Sequence, residues 1–144
     1  MFLTECTFII ALKTSEKYEI RELIEFLIGD VNLFFNDYNS DKSCEIEVMI
    51  ANSKHRQKGL AKESLFLLMN FAIENLQVER FYCKINEDNI ASINLFKKIG
   101  YKQINYVPAF KEYEYEYIID NETRESIKSF TTINYSYSIL KSIL

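Results

Sequence analysis

The chain has 144 residues, of which 48% are hydrophobic and 26% charged, with only 3 Gly and 1 Pro. That is the size and composition of one soluble globular domain, and it excludes collagen-like and low-complexity chains. A net charge of −4 argues against non-specific nucleic-acid binding, which needs a basic face. No apolar run approaches the roughly 18 residues of a membrane span.

The first six residues, Met1 to Cys6, hold no basic segment ahead of an apolar stretch, so no secretory signal is expected. Thr7–Leu12 is a short apolar run, β-branched at its start, and predicts a buried strand. Residues 13–28 are charged, with Ile20, Leu23, Ile24 and Leu27 at helical spacing, and predict a loop holding a short helix. Gly29-Asp30 reads as punctuation before a strand over Val31–Phe35. Residues 36–41 are dense in turn formers and predict a hairpin loop. Glu45–Ile50 alternates at first and then turns wholly apolar, the pattern of a strand with a polar-lined start and a buried end.

Residues 52–59 are polar and end in Gly59. From Leu60 to Leu76 the apolar residues Leu60, Leu65, Leu68, Ala72 and Leu76 recur at helical steps, which predicts a helix roughly 25 Å long. Glu79–Ile85 predicts a strand, and Asn86–Asn89 supplies turn and N-cap residues. Ile90, Ile93, Phe96 and Ile99 mark a second helical face. Lys97 and Lys98 suit its C-terminal end, and Gly100 is a natural stop. Strands follow near 101–107 and 110–119, separated by Pro108, the second alternating strictly and so having one wet face. The tail from Asp120 is polar and then Ser/Thr/Tyr-rich, and its pattern predicts no element. The division is a domain over 1–119 and an extension over 120–144. The order strand-strand-strand-helix-strand-helix-strand-strand implies an α/β or α+β fold with a mixed sheet.

Three segments carry candidate chemistry. Lys54, Arg56, Lys58 and Lys62 put four positive charges into nine residues between a strand and the long helix. Gly59 and Ala61 are small enough for backbone to approach a ligand. The first amides of a helix are unpaired and carry its positive dipole end, so this junction makes an anion site, most naturally for phosphate. It lacks the GK[ST] ending of a P-loop and the three glycines of a dinucleotide fingerprint; the alternative is a solvated basic loop that caps a helix. Glu45 and Glu47 point to one strand face, and two like charges there require water or a cation. A partly desolvated Glu can serve as a general base; the alternative is an ordinary solvent face. Asn86–Ser92 supplies a capping box for the second helix, and a ligand role would need Asn89 or Ser92 to face that ligand. Cys6, Cys44 and Cys83 form no CxxC, and His55 alone cannot complete a zinc site with them, so free thiols in a reducing compartment and no metal are expected. Cys44 is either a reactive thiol beside the site or a buried inert one.

Arg56-x-x-Gly59-x-Ala61 after an apolar strand resembles the [QR]-x-x-G-x-[GA] acetyl-CoA motif of the GNAT superfamily. Asn89 through Tyr101 is similar to the helix-and-strand signature that closes the same domain, and Gly29–Phe34 with Glu45–Ala51 looks like the N-acetyltransferase 9 family. The likeness spans roughly residues 5–117. It implies a mixed, splayed sheet with acetyl-CoA wedged between two strands. It also implies that Met49, Ile50 and Ala51 hold the pantetheine through backbone groups. Arg56, Gln57, Lys58, Gly59, Leu60 and Ala61 would wrap the pyrophosphate, and Asn89 and Ser92 would touch the cosubstrate from the other side. Glu45, fourteen residues before Gly59, falls where a histone-acetylating branch carries its base; Glu47 is the second candidate. The implied activity is N-acetyl transfer to an amine of a protein or peptide, in the cytoplasm or also the nucleus. No nucleic-acid or membrane partner is implied, and the oligomeric state is left open. The chain departs from the pattern in two ways. Phe96 stands where many relatives carry a Tyr that protonates the departing thiolate, and the family domain opens with a strand and two helices that have no counterpart here. The competing readings are a catalytically weak or inactive fragment acting as a binding or interaction module, and a different phosphate-ligand binder.

Overall fold

The computed structural model describes residues 4–12, 24, 26–35 and 42–134. The described elements are β1 (Glu5–Ala11), β2 (Leu27–Phe34), β3 (Ser43–Ile50), α1 (Leu60–Leu76), β4 (Arg80–Asn86), α2 (Ile90–Ile99), β5 (Lys102–Val107), β6 (Glu112–Ile118) and α3 (Asn121–Asn134), with a 3-10 turn at Ser53–His55. They build one six-stranded sheet in the order β1-β2-β3-β4-β6-β5. The first three strands form an antiparallel meander, β3 and β4 run parallel across the α1 crossover, and β4-β6-β5 is antiparallel again. This is the expected mixed α/β architecture.

Strand alternation decides the two faces. Leu33, Cys44, Ile46, Phe81, Cys83 and Tyr115 are buried on one face with Leu65, Leu68, Met69, Ala72 and Ile73 of α1 and Ile93, Phe96 and Ile99 of α2. The opposite face carries Asn32, Glu45, Glu47, Tyr82, Lys84, Glu114 and Glu116, which the registers place side by side. The Glu/Tyr alternation of β6 therefore reads as predicted, tyrosines inward and carboxylates outward.

α1 and α2 start and stop where the periodicity and the glycines place them. Gly59 caps the start of α1 at φ +82°, and Gly100 ends α2 at φ +119°. Five features differ from the sequence reading. The end of β3 is not buried, Met49 being 53% exposed where the strand parts from β4. The 7–12 run is an edge strand, with Phe8 and Ile9 largely exposed, because nothing described lies beyond it in the sheet. Gly29 does not break the chain but sits inside β2, where a Cβ would lie 1.9 Å from the Met49 carbonyl oxygen. Phe110 and Lys111 belong to the turn after Pro108 rather than to β6. The tail contains α3, started by reciprocal bonds between Asp120 and Thr123 and seated on α1 through buried Ile127 and a Phe66–Phe130 ring contact at 4.6 Å. The helix expected within 13–28 falls almost wholly outside the described residues, as does the 36–41 loop; Leu27 and Ile28 belong to β2.

Candidate functional site

β3 and β4 begin side by side and then part. Their parallel register holds only for Ser43–Arg80, Cys44–Phe81 and Glu45–Tyr82. Beyond Glu45 the β4-facing backbone of β3 has no strand to bond. Ala51 donates its amide to the Ile28 carbonyl on β2 at 2.8 Å, and the Met49 carbonyl lies against Gly29. Backbone groups alternate along a strand, so Val48 and Ile50 turn theirs into the gap. Of the three residues expected to hold pantetheine by backbone, Ile50 thus faces the opening, while Met49 and Ala51 are committed to β2.

A cleft of about 420 Å³ opens from this gap. Its walls are Val48, Met49 and Ile50 of β3, the turn residues His55, Arg56, Gln57 and Gly59, the first residues of α1 (Leu60, Ala61, Lys62), and Asn89, Ala91, Ser92 and Leu95 around α2. The structure therefore brings together Met49, Ile50, Arg56, Gln57, Gly59, Leu60, Ala61, Asn89 and Ser92. It leaves Ala51 and Lys58 off the lining and puts Glu45 and Glu47 on the other face of the sheet. Val48, Ala91 and Leu95 were not singled out; Lys62 was counted among the four cations of the anion site, and His55 only as an insufficient zinc ligand. Two periodicities could have found the apolar ones: Val48 is two residues from Ile50 along a strand, and Leu95 three from Ser92 along a helix.

The basic end of the cleft is built by backbone. Gln57 at φ +58° and Gly59 at φ +82° curl the chain into α1. The first intrahelical bond runs from Glu63 to the Gly59 carbonyl, and Gly59 has no side chain to cap with. The amides of Leu60, Ala61 and Lys62 are the helix's orphan donors and carry its positive dipole end. A Cβ at Gly59 would meet nothing within 4 Å, so the approach is open. Arg56 braces the turn by donating from Nε to the Ile50 carbonyl at 2.8 Å and from Nη2 toward Ala51 at 3.4 Å. On the α2 side Asn89 caps the helix, its Oδ1 accepting from the Ser92 amide at 3.2 Å. Capping and cleft lining thus coexist in the same two residues.

The two glutamates differ in surroundings. Glu45 is paired with Lys84 Nζ at 3.0 Å, its side chain only 15% exposed. Glu47, one pleat further on, has its carboxyl pushed above the usual carboxylate range by partial burial and by the neighbouring Glu45 and Asp30, against a smaller opposing pull from Lys84. Burial drives the Cys44 thiol up to about 12 and the Cys83 thiol higher still, so Cys44 is the inert alternative. Phe96 is buried edge-on to Tyr101 at 4.9 Å, and the Tyr101 hydroxyl turns to the Met69 sulfur at 3.7 Å. Neither ring offers a hydroxyl to the cleft.

A parallel strand pair that splays beside a helix N-terminus with no side-chain cap defines a mixed α/β fold with an opening in its sheet and unpaired donors at one end of it. Residues 3–102 match the acetyltransferase (GNAT) domain model, and the chain belongs to that family. It is 41% identical over 119 residues to an N-acetyltransferase 9-like protein of Nematostella vectensis, covering 83% of this chain and 60% of that protein. It is 32% identical over 131 residues to the alpha/beta-tubulin-N-acetyltransferase 9 of Mus musculus, covering 89% and 54%. The chain thus spans about half the length of the curated relatives it matches. Among solved structures it is similar to a domain from Methanocaldococcus jannaschii (TM-score 0.65, 23% identity, 82% of this chain and 69% of that one). It is also similar to a chimeric spermidine N-acetyltransferase from Vibrio cholerae (TM-score 0.62, 16% identity, 87% and 70%). At these identities the likeness is one of fold.

Proposed function

We propose that the chain is an acetyl-CoA-dependent N-acetyltransferase acting on an amine of a protein or peptide in the cytoplasm. The observation that carries this reading is the cleft at the β3–β4 splay, with orphan amides at its basic end and, along its wall, strand backbone that is not paired with β4. The donor set suits the cosubstrate: the Leu60, Ala61 and Lys62 amides would take the pyrophosphate, and Val48 and Ile50 the amide-bearing pantetheine arm. When bound, acetyl-CoA would supply the activated acyl group. Glu47, on the opposite face of the sheet one residue before the cleft wall at Val48 and with its carboxyl raised above the usual range, would accept the proton of an amine entering from that face, directly or through water. Lys84 occupies Glu45 and so leaves Glu47 the better-placed base. The gap-facing amide of Val48 or Ile50 would polarise the acyl carbonyl. The name of the mouse relative supports a protein acceptor.

A binding module without turnover is the second reading. It is favoured by the absence, among the described cleft residues, of a tyrosine or thiol to protonate a leaving thiolate. Both readings meet one experiment: thermal unfolding with acetyl-CoA, alongside mass spectrometry of amine-bearing peptide pools. At a hundredfold excess over Kd the ligand would stabilise the fold by about 2.7 kcal/mol. Arg56→Ala should weaken that effect by loosening the turn. A cosubstrate that leaves the melting temperature unmoved would overturn both readings, and binding without acetylated product would select the second.

A further inference from the structure

α1 opens with a residue that its own electrostatics disfavour. Lys62 sits in the first turn, at the positive end of the helix dipole, where a carboxylate is the stabilising choice. No carboxylate among the described residues pairs with it, whereas Lys42, Lys84 and Lys111 each have one. Its side chain is directed instead by an aromatic ring. Lys62 Nζ lies over Phe66, one turn further along the same face of α1, at 5.6 Å from the ring centroid. The same lysine is part of the cleft wall.

Phe66 is held in turn by α3. Its ring faces that of Phe130, with centroids 4.6 Å apart and planes tilted by 32°. Phe130 has little freedom to leave. Ile127, one turn back on the same face of α3, is fully buried. Thr131 is buried too, its hydroxyl donating to the Ile127 and Lys128 carbonyls at 3.2 and 2.9 Å. The Asp120–Thr123 bonds fix the start of the helix. None of the described cleft residues belongs to α3, so its influence on the cleft passes through Phe66.

We propose that Lys62 binds the phosphates of the cosubstrate and that α3, through Phe130 and Phe66, positions it to do so. The proposal rests on the reading of the cleft as an acetyl-CoA site. A cation beside the positive end of α1 is unfavourable in the free protein, and a phosphate placed against it and the Leu60 and Ala61 amides reverses that balance. A long lysine stem gives up rotamer freedom when its ammonium is fixed on a ligand. The Phe66 ring narrows that freedom beforehand, and Phe130 keeps the ring in place. Lys62 is the residue that touches the ligand; Phe66 and Phe130 are positioning residues. Cosubstrate affinity then depends on a helix that never meets the cosubstrate.

Isothermal titration calorimetry of the whole chain with acetyl-CoA tests this. Lys62→Met keeps the stem and loses the charge, so it should weaken binding about tenfold and flatten the dependence of Kd on salt. Lys62→Arg, a cation that also stacks on Phe66, should keep most of the affinity. Phe130→Leu should weaken binding about two- to fivefold with an unchanged circular dichroism spectrum. In the Lys62→Met background the same change should add nothing, because the contacts act as one chain. A helix that merely stabilised the fold would give equal losses in both backgrounds, and that outcome overturns the proposal. Should Phe130→Leu fail to fold, Phe66→Leu takes its place in the cycle. Acetyl-CoA bound equally well by the parent and by Lys62→Met overturns the proposal and leaves the cleft reading standing. A parent chain that binds no acetyl-CoA overturns both.

Discussion

Gly29→Ala is expected to cost more than its single methyl group suggests. At Gly29 a Cβ would sit 1.9 Å from the Met49 carbonyl oxygen and 3.0 Å from the Ile50 Cα. Real Cβ contacts begin near 3.0 Å, so β2 and β3 must separate by about 1.1 Å at this point. The atoms in the way are backbone and cannot rotate aside. A separation of that size takes the Ala51–Ile28 bond at 2.8 Å, and its ladder neighbour at Asp30–Met49, out of hydrogen-bonding range. Two or three such bonds at about 1 kcal/mol each give a loss of about 2–3 kcal/mol. For a domain of this size that lowers the melting temperature by roughly 6–10 °C. Differential scanning calorimetry measures it. Gly59→Ala is the control: it has open space and only a left-handed φ to strain, so it should lose about 1 kcal/mol. A Gly29→Ala melting point within 2 °C of the parent, or a larger loss at Gly59, would refute the reasoning.

Three further outcomes are expected. Glu47 has its folded-state pKa raised, so its contribution to stability is fully present below the unfolded carboxylate value and is lost as pH rises through the folded one. Glu47→Gln should therefore raise the melting temperature at pH 7–8, with the advantage vanishing below about pH 4; melts across pH check this. Ile127→Ala, at a fully buried position, should cost about 2–5 kcal/mol by urea unfolding if α3 is seated as described. With a maleimide at pH 8, half-buried Cys6 should react before Cys44 and Cys83, whose thiols burial holds at about 12 and higher. Peptide mapping that found Cys44 labelled first would contradict that burial.

The parts of the fold legible in the sequence are those that local physics decides. α1 and α2 carry continuous apolar periodicity bounded by Gly59 and Gly100, and β6 alternates residue by residue. What stayed hidden depends on partners far along the chain. Whether the 7–12 run is central or marginal is a matter of strand order, which the run does not encode. Gly29 looks like a break until the Met49 carbonyl is seen to need its missing side chain. α3 escaped because Ile127 and Phe130 are nearly the only apolar anchors in a polar stretch. At the site the cation cluster pointed to the turn and the helix start. The same reading could not tell that Met49 and Ala51 spend their backbone on β2, nor that Lys84 reaches across to Glu45.

The parting of β3 and β4 also bears on how the molecule is assembled. β1–β2–β3 on one side and β5–β6 on the other can zip up from neighbours in the chain. The join between the two leaves rests on three residue pairs and on α1 lying across it, a closure that must wait for the whole crossover to form. The leaves should thus protect their amides early in refolding. The seam should protect its own last and open first, which makes the softest line in the native molecule the one that runs along the cleft.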